Sequence, residues 1–265
     1  MIRMCCPARS FNTFCLITIF TNLYLRRNTM NTRIHESVRD EKGFTLVELA
    51  IVMVIIGLLI GGILKGQEMI ANAQVNATIA QVSAVDAASS TFRDMYDSMA
   101  GDMLLATTRI PGCATPCING GGNNSINSLP LVTAPGTEAT NFFRHLGGAD
   151  LLGGVTANMA NGTYLQAKLN NVQLVPGSQA AAALGNAGAN VARSGLYVGL
   201  SATGTTGNTV GLTPLQAGRI DRKRDDGNAN TGSVIGGGGT TCATTAGLYV
   251  ENTQTATCTL AARIN

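Results

Sequence analysis

Lys42-Gly43-Phe44-Thr45-Leu46-Val47-Glu48-Leu49 leads into an apolar run that ends at Leu64. Of the 21 side chains from Phe44 to Leu64, only Glu48 is charged. A helix of that length rises about 31 Å, enough to cross the hydrocarbon core of a bilayer. Lys65 marks its far side. A lone carboxylate deep in such a span costs about 2–3 kcal/mol, and less near the surface. An apolar residue would insert more easily, so Glu48 is the first functional candidate in the chain.

Gly-Phe-Thr-Leu-Val-Glu ahead of a long apolar helix resembles the processing and assembly signature of type IV pilins and of their relatives, the pseudopilins of type II secretion. The resemblance implies that prepilin peptidase cuts between Gly43 and Phe44, and that the new Phe44 amine is methylated. Glu48 then falls fifth in the mature chain. In the family that carboxylate meets the N-terminal amine of a neighbouring subunit as a filament grows. The physics agrees, because a neighbouring ammonium removes much of the cost of an unpaired acid in lipid. An ordinary single-pass anchor has no need of Gly-Phe-Thr-Leu-x-Glu.

Composition divides at the same point. The chain has 265 residues and a formal charge of +3. Residues 1–43 hold seven Lys/Arg against three Asp/Glu, a balance of +4; residues 44–265 hold 11 against 12, a balance of −1. The basic excess therefore lies in the segment expected to be removed, and the mature part has no basic face suggesting nucleic acid. Its 222 residues suffice for one membrane helix and one globular domain. Within the leader, Met30 begins a short polar stretch of the kind prepilins carry. Residues 1–29, whose largely apolar Phe11–Leu25 stretch also allows a secretory signal, are read by preference as an over-extended gene start, and nothing before Phe44 is expected to contribute to the working fold.

Domains are expected at 44–65 (membrane and assembly helix), 66–100 (its amphipathic continuation) and 101–265 (globular). Val75, Ile79, Val82, Val85, Phe92, Met95, Tyr96 and Met99 keep a spacing of three to four, with no Pro or Gly from Gln67 to Ala100. One helix is predicted from Phe44 to about Ser98. The membrane helix carries Gly57, Gly61, Gly62 and Gly66, of which Gly57, Gly61 and Gly62 suit either close subunit packing or local unwinding on assembly. A loop from Pro111 to Pro135 and a short helix capped by Thr137 and stopped at Gly147-Gly148 follow. Strands are predicted at Thr163–Leu169, Val172–Val175, Gly195–Leu200, Gly247–Val250 and Thr257–Ile264. The expected product is α+β: a long N-terminal helix, membrane-spanning in its first half, packed on an antiparallel sheet as in pilins.

Four cysteines follow the cleavage point: Cys113, Cys117, Cys242 and Cys258. In an exported domain they read as two disulfides with three pairings open. Cys113–Cys117 and Cys242–Cys258 are nearest in sequence, and the second resembles the C-terminal disulfide-bounded loop of many type IV pilins. Thr213-Pro214 opens a short helix that runs into an acidic turn. There Asp221, Asp225, Asp226, Asn228 and Asn230 offer oxygen ligands to a hard cation such as calcium. The EF-hand pattern fails, and Arg222, Lys223 and Arg224 are available to pair with Asp225 and Asp226. A helix end followed by an Asp-Gly/Asn turn explains the same residues, so no cofactor is required.

Enzyme signatures are missing. The part after Gly43 has one histidine, His145, and no Gly-x-Ser-x-Gly, His-Glu-x-x-His or P-loop pattern. The resemblance implies a non-enzymatic subunit of a type IV pilus-like filament, polymerised through its N-terminal helix. Other copies or other pilins, prepilin peptidase, an assembly ATPase and the inner-membrane platform would be its partners. It would start as a bacterial inner-membrane precursor and end in an extracellular or periplasm-spanning filament. A type II secretion pseudopilin and a minor, tip-located adhesin-like pilin are alternatives within the superfamily. A membrane-anchored binding module is the alternative from another class.

Overall fold

The computed structural model describes residues 44–127, 137–169, 171–179, 193–202 and 210–264. The leader, Gly43, the expected start at Met30 and the end of the Pro111–Pro135 loop lie outside the described residues. The chain divides into two compact units, Met1–Ile56 and Gly57–Asn265.

In the first unit, helix α1 (Leu46–Tyr96) begins. Thr45 and Glu48 cap it reciprocally. The Glu48 carboxylate accepts the Thr45 N–H at 2.9 Å and the Thr45 hydroxyl at 3.0 Å, and the Glu48 N–H donates to Thr45 Oγ1 at 3.2 Å. Thr-x-x-Glu is the pattern that satisfies two otherwise orphaned N–H groups at a helix start. Every residue from Phe44 to Ile56 is exposed, including ten large apolar side chains and Glu48 itself.

In the second unit, the first two turns of α1 remain bare. A Cβ added at Gly57, Gly61, Gly62 or Gly66 would meet nothing within 4 Å. Burial starts at Val75. Val75, Thr78, Val82, Val85, Ala88, Ser89 and Phe92 line one face. Ile79 and Tyr96 pack at its margin, whereas Met95, expected in the stripe, is exposed. The helix ends two residues short of Ser98. Asp97, with φ 51°, donates its N–H to Arg93 O at 2.8 Å, and a turn follows to Gly101 (φ 87°). A single-turn helix α2 (Ala106–Arg109) comes next.

Helix α3 (Thr137–Gly148) is deeply buried through Ala139, Phe142, Phe143 and Leu146. Gly147 and Gly148, expected to stop the helix, lie within it. The side chain of Thr137 is outside the described residues, so its capping role is not addressed. Glu138 in the first turn, where an acid suits the helix dipole, reaches back to the glycine-rich loop. Its carboxylate accepts Gly121 N–H at 3.1 Å and Asn127 N–H at 2.7 Å.

The sheet is wholly antiparallel, in the order β1-β2-β3-β5-β4. Its strands are β1 (Leu165–Gln166), β2 (Val172–Gln179), β3 (Gly195–Ala202), β4 (Val234–Gly237) and β5 (Thr259–Ile264). Three expectations change. The strand predicted at Thr163–Leu169 shrinks to two residues. β2 runs on past Val175 through Pro176, which sits where β2 has no outer strand partner among the described residues, so its missing N–H breaks no ladder bond there. The strand predicted at Gly247–Val250 is a turn, with only an isolated bridge from Tyr249 to Ala243. Its place is taken by Val234–Gly237, whose glycines hid it. β3, β4 and most of β5 are buried on both faces, so polar–apolar alternation is weak in them. The buried stripe of α1, α3 and the inner sheet residues share one core.

Candidate functional site

Phe44 and Glu48 stand at the head of α1, both exposed. Among the described residues the Glu48 carboxylate is held only by its own helical turn, through Thr45. The helix behind it is long and apolar enough to cross a membrane, with a mean hydropathy of 2.7 over its most apolar window and none of that window buried within the chain.

Past that window, α1 carries two stripes. The buried one, at 75, 78, 82, 85, 89 and 92, faces its own domain. Ala73, Ala77, Ala80, Ala84, Ala87 and Thr91 form the other, exposed or half-exposed and offset by half a helical turn. Both follow alternating steps of three and four. Side chains this small let a second helix come close.

Helix α4 (Pro214–Arg224) opens with a complete capping box. Thr213 Oγ1 accepts Gln216 N–H, and Gln216 Oε1 accepts Thr213 N–H. Its cations do not pair with Asp225 and Asp226, as the sequence allowed. Arg219 donates to Asn72 Oδ1 at 3.1 Å, Lys223 to Asn76 Oδ1 at 2.6 Å and Arg224 to Ser83 Oγ at 3.2 Å. Arg224 also lies 3.9 Å from Asp86, and Arg222 pairs with Glu251 at 2.6 Å. The basic run is a clamp onto α1.

The acidic turn behind α4 brings Asp221, Asp225 and Asp226 together, with one oxygen from each within 4.8 Å of the others. Asp221 is fully buried. Its carboxylate accepts the Tyr249 hydroxyl at 2.7 Å and the Gly227 N–H at 3.3 Å. Burial, against these two bonds and helped by its acidic neighbours, pushes its pKa up to about 6. Burial and the Asp221 charge also push the Tyr249 hydroxyl well above the usual range. Asp225 accepts Ser233 N–H, and Val234 N–H at 3.0 Å. Asp226 accepts Asn228 N–H at 2.9 Å and the Thr231 hydroxyl, which hold its pKa below the ordinary carboxylate value. Asn228 Oδ1 accepts Asn230 N–H at 3.0 Å, and Asn230 Nδ2 donates to Thr245 O at 2.9 Å. For a hard cation the three carboxylates converge, but the Asn228 oxygen is spent on the turn, whereas Asn230 Oδ1 is buried with no hydrogen-bond partner among the described residues. Every carboxylate already has protein donors. The fit to calcium is thus partial.

Cys113–Cys117 and Cys242–Cys258 are disulfides, with Cα separations of 5.2 and 5.0 Å. His145 lies beside the first pair, buried against Phe92. Its Nδ1 accepts Gly101 N–H at 2.9 Å, so its Nε2 carries the proton and donates to Ile118 O at 2.9 Å. Burial lowers its pKa. It is a neutral strut between two loops, and neither nitrogen is left for catalysis. Sequence reasoning passed over Thr45, whose capping box is legible as Thr-x-x-Glu. It also passed over Arg144, described below, for which no local pattern exists.

No curated protein and no solved structure matches the chain. Residues 38–64 match the family model described as the prokaryotic N-terminal methylation motif, which spans the Gly43–Phe44 bond, Glu48 and the apolar run. The chain carries the type IV prepilin-like cleavage and methylation motif at the head of an α+β fold.

Proposed function

We propose that this chain is a structural subunit of a type IV pilus-like filament, cut between Gly43 and Phe44, methylated on Phe44 and polymerised through α1. The observation that carries the reading is the position of Glu48. It is an exposed carboxylate at the head of an apolar helix, inside the matched motif, with no partner beyond its own first turn among the described residues. A neighbouring Phe44 ammonium supplies the charge it lacks and sets the register between copies. The bare apolar surface from Phe44 to Ile70 would be covered by lipid before assembly and by other copies after it, at about 25 cal/mol per Å² removed from contact with water. The alanine stripe continues that surface down α1.

Mass spectrometry of filaments sheared from the native cells tests this. An abundant chain beginning at methylated Phe44 is expected, and Glu48→Ala should abolish its appearance in that fraction. Processed chain confined to the envelope would move the reading to a type II secretion pseudopilin, and trace amounts to a minor subunit. An intact Gly43–Phe44 bond, or Glu48→Ala filaments at parental yield, would overturn it.

A further inference from the structure

Arg144 is the largest side chain fully buried in the described residues, at 1 % exposure. A buried guanidinium ordinarily sits against a carboxylate, because neutral acceptors do not repay the loss of hydration. Here its hydrogen-bond acceptors among the described residues are neutral. Nε and Nη2 donate to Met159 O, Nη1 donates to Asn141 Oδ1 at 3.1 Å, and Nη2 donates to Asn161 Oδ1 at 2.8 Å. Burial correspondingly weakens the hold of Arg144 on its proton. Asn161 is exposed to water, and the next residue is Gly162, whose φ of 74° favours glycine. Gly162 has no side chain of its own to hinder attack by its nitrogen.

We infer that Asn161 is a site of deamidation that gives Arg144 its counter-charge. The Gly162 nitrogen attacks Asn161 Cγ and gives up its proton to solvent. Cγ–N forms, Cγ–Nδ2 breaks and ammonia leaves. Water then opens the cyclic imide, returning a proton to the nitrogen and leaving a carboxylate at 161, as aspartate or its β-linked isomer. No oxidant or reductant is needed. Arg144 acts at two stages. Its Nη2 proton lies on Oδ1, where negative charge grows during the attack. Afterwards the same group forms a charge-assisted bond with the new carboxylate. For the attack, Gly162 N–H must first leave Thr140 Oγ1, which it meets at 3.1 Å.

The chain contains an internal comparison. Asn119 also precedes a glycine and is exposed, but among the described residues its Oδ1 accepts from the Thr107 N–H and hydroxyl and from no cation. Gly120 N–H is likewise bonded, to Met103 O at 2.8 Å.

The test incubates the full chain in detergent at neutral pH, folded and in denaturant, and follows two tryptic peptides by mass spectrometry. His145–Lys168 contains Asn161, and Ile110–Arg144 contains Asn119. In the folded chain, the amide-to-acid mass change at 161 should outpace that at 119 by about tenfold or more, the worth of one oriented donor. In denaturant the two rates should converge. Asn161→Asp should raise the melting temperature of the folded chain. Equal rates in the folded chain, no conversion at 161, or a lower melting temperature for Asn161→Asp would each overturn the inference.

Discussion

Asp221 shows how one buried acid makes stability depend on pH. Its folded pKa of about 6 stands above the ordinary 3.8, so the folded chain binds this proton more tightly than the unfolded chain does. The stabilisation is complete below about pH 4, falls as pH rises through about 6, and is absent above that. At about 1.4 kcal/mol per pKa unit, the change is at most about 3 kcal/mol. His145 works in the other direction. Its pKa is lowered, so its contribution is present above the usual histidine value and is lost as pH falls. The two oppose each other on the acid side of neutrality, and only a comparison with a variant separates them. Asp221→Asn keeps an acceptor for Tyr249 and cannot ionise. The stability difference between parent and Asp221→Asn should shift by up to about 3 kcal/mol from about pH 4 to about pH 7, in favour of the variant at the higher pH. Denaturant melts across that range measure it. A flat difference would mean that Asp221 ionises as freely in the fold as outside it.

At the scale of elements, α1 is one helix with several surroundings. Its length follows from an unbroken run without proline and with few glycines after Lys65, closed at the start by Thr45 and Glu48. Its two stripes give opposite expectations. Val82 is 2 % exposed in the core, and Val82→Ala should cost about 1–2 kcal/mol wherever the chain is studied. Ala80 and Ala84 are exposed. Phe at either should leave the isolated chain within about 0.5 kcal/mol of the parent and still reduce filament yield sharply, because the bulk would hold a neighbouring helix away. Denaturant melts in detergent and the amount of sheared filament are the paired readouts. Normal filaments from both variants would remove this stripe from the assembly surface. The α4 clamp belongs to the same scale. Arg219, Lys223 and Arg224 reach α1 at Asn72, Asn76 and Ser83, spaced so that all three sit on one side of the helix.

At the scale of the second unit, both margins of the sheet are closed by the chain itself. Along β4, Val234 N–H goes to Asp225 and Gly236 N–H to Ala229 O at 2.9 Å. Along β2, Pro176 offers no donor, and Ser178 is tied to Ile126 through its hydroxyl at 2.7 Å. Closed margins of this kind discourage pairing with strands of other copies, in keeping with the proposed assembly through α1. Asp225, read from sequence as a cation ligand, serves this closure. The disulfide Cys242–Cys258 holds the segment before β5, and Cys258 also bridges to Leu212 just ahead of α4. Replacing both cysteines by serine should lower stability by about 3 kcal/mol, and the same change at Cys113 and Cys117, which close a shorter loop, by about 2 kcal/mol. Denaturant melts of the two double variants give the order. A reversed order would mean that native contacts, and not chain entropy, set the contribution of each pair.

The sequence by itself determined the processing motif, the long helix, Glu48 and the helical cap at Thr213, because each is written in contiguous residues at fixed spacing. It also restricted the cysteines to few pairings. It did not determine the short strand at Val234–Gly237, whose glycines have no strand preference and whose N–H groups are met by Asp225 and Ala229 from a distant turn. Nor did it determine that Gly247–Val250 is a turn. Its Gly-Leu-Tyr-Val matches the start of β3 letter for letter, but Tyr249 is drawn toward Asp221 instead of toward a neighbouring strand. The partners of the basic run on α4 and the uncompensated charge of Arg144 were also settled only by the fold. In each case the deciding energy is a contact or a loss of hydration between residues far apart in the chain, and local spacing carries no record of it.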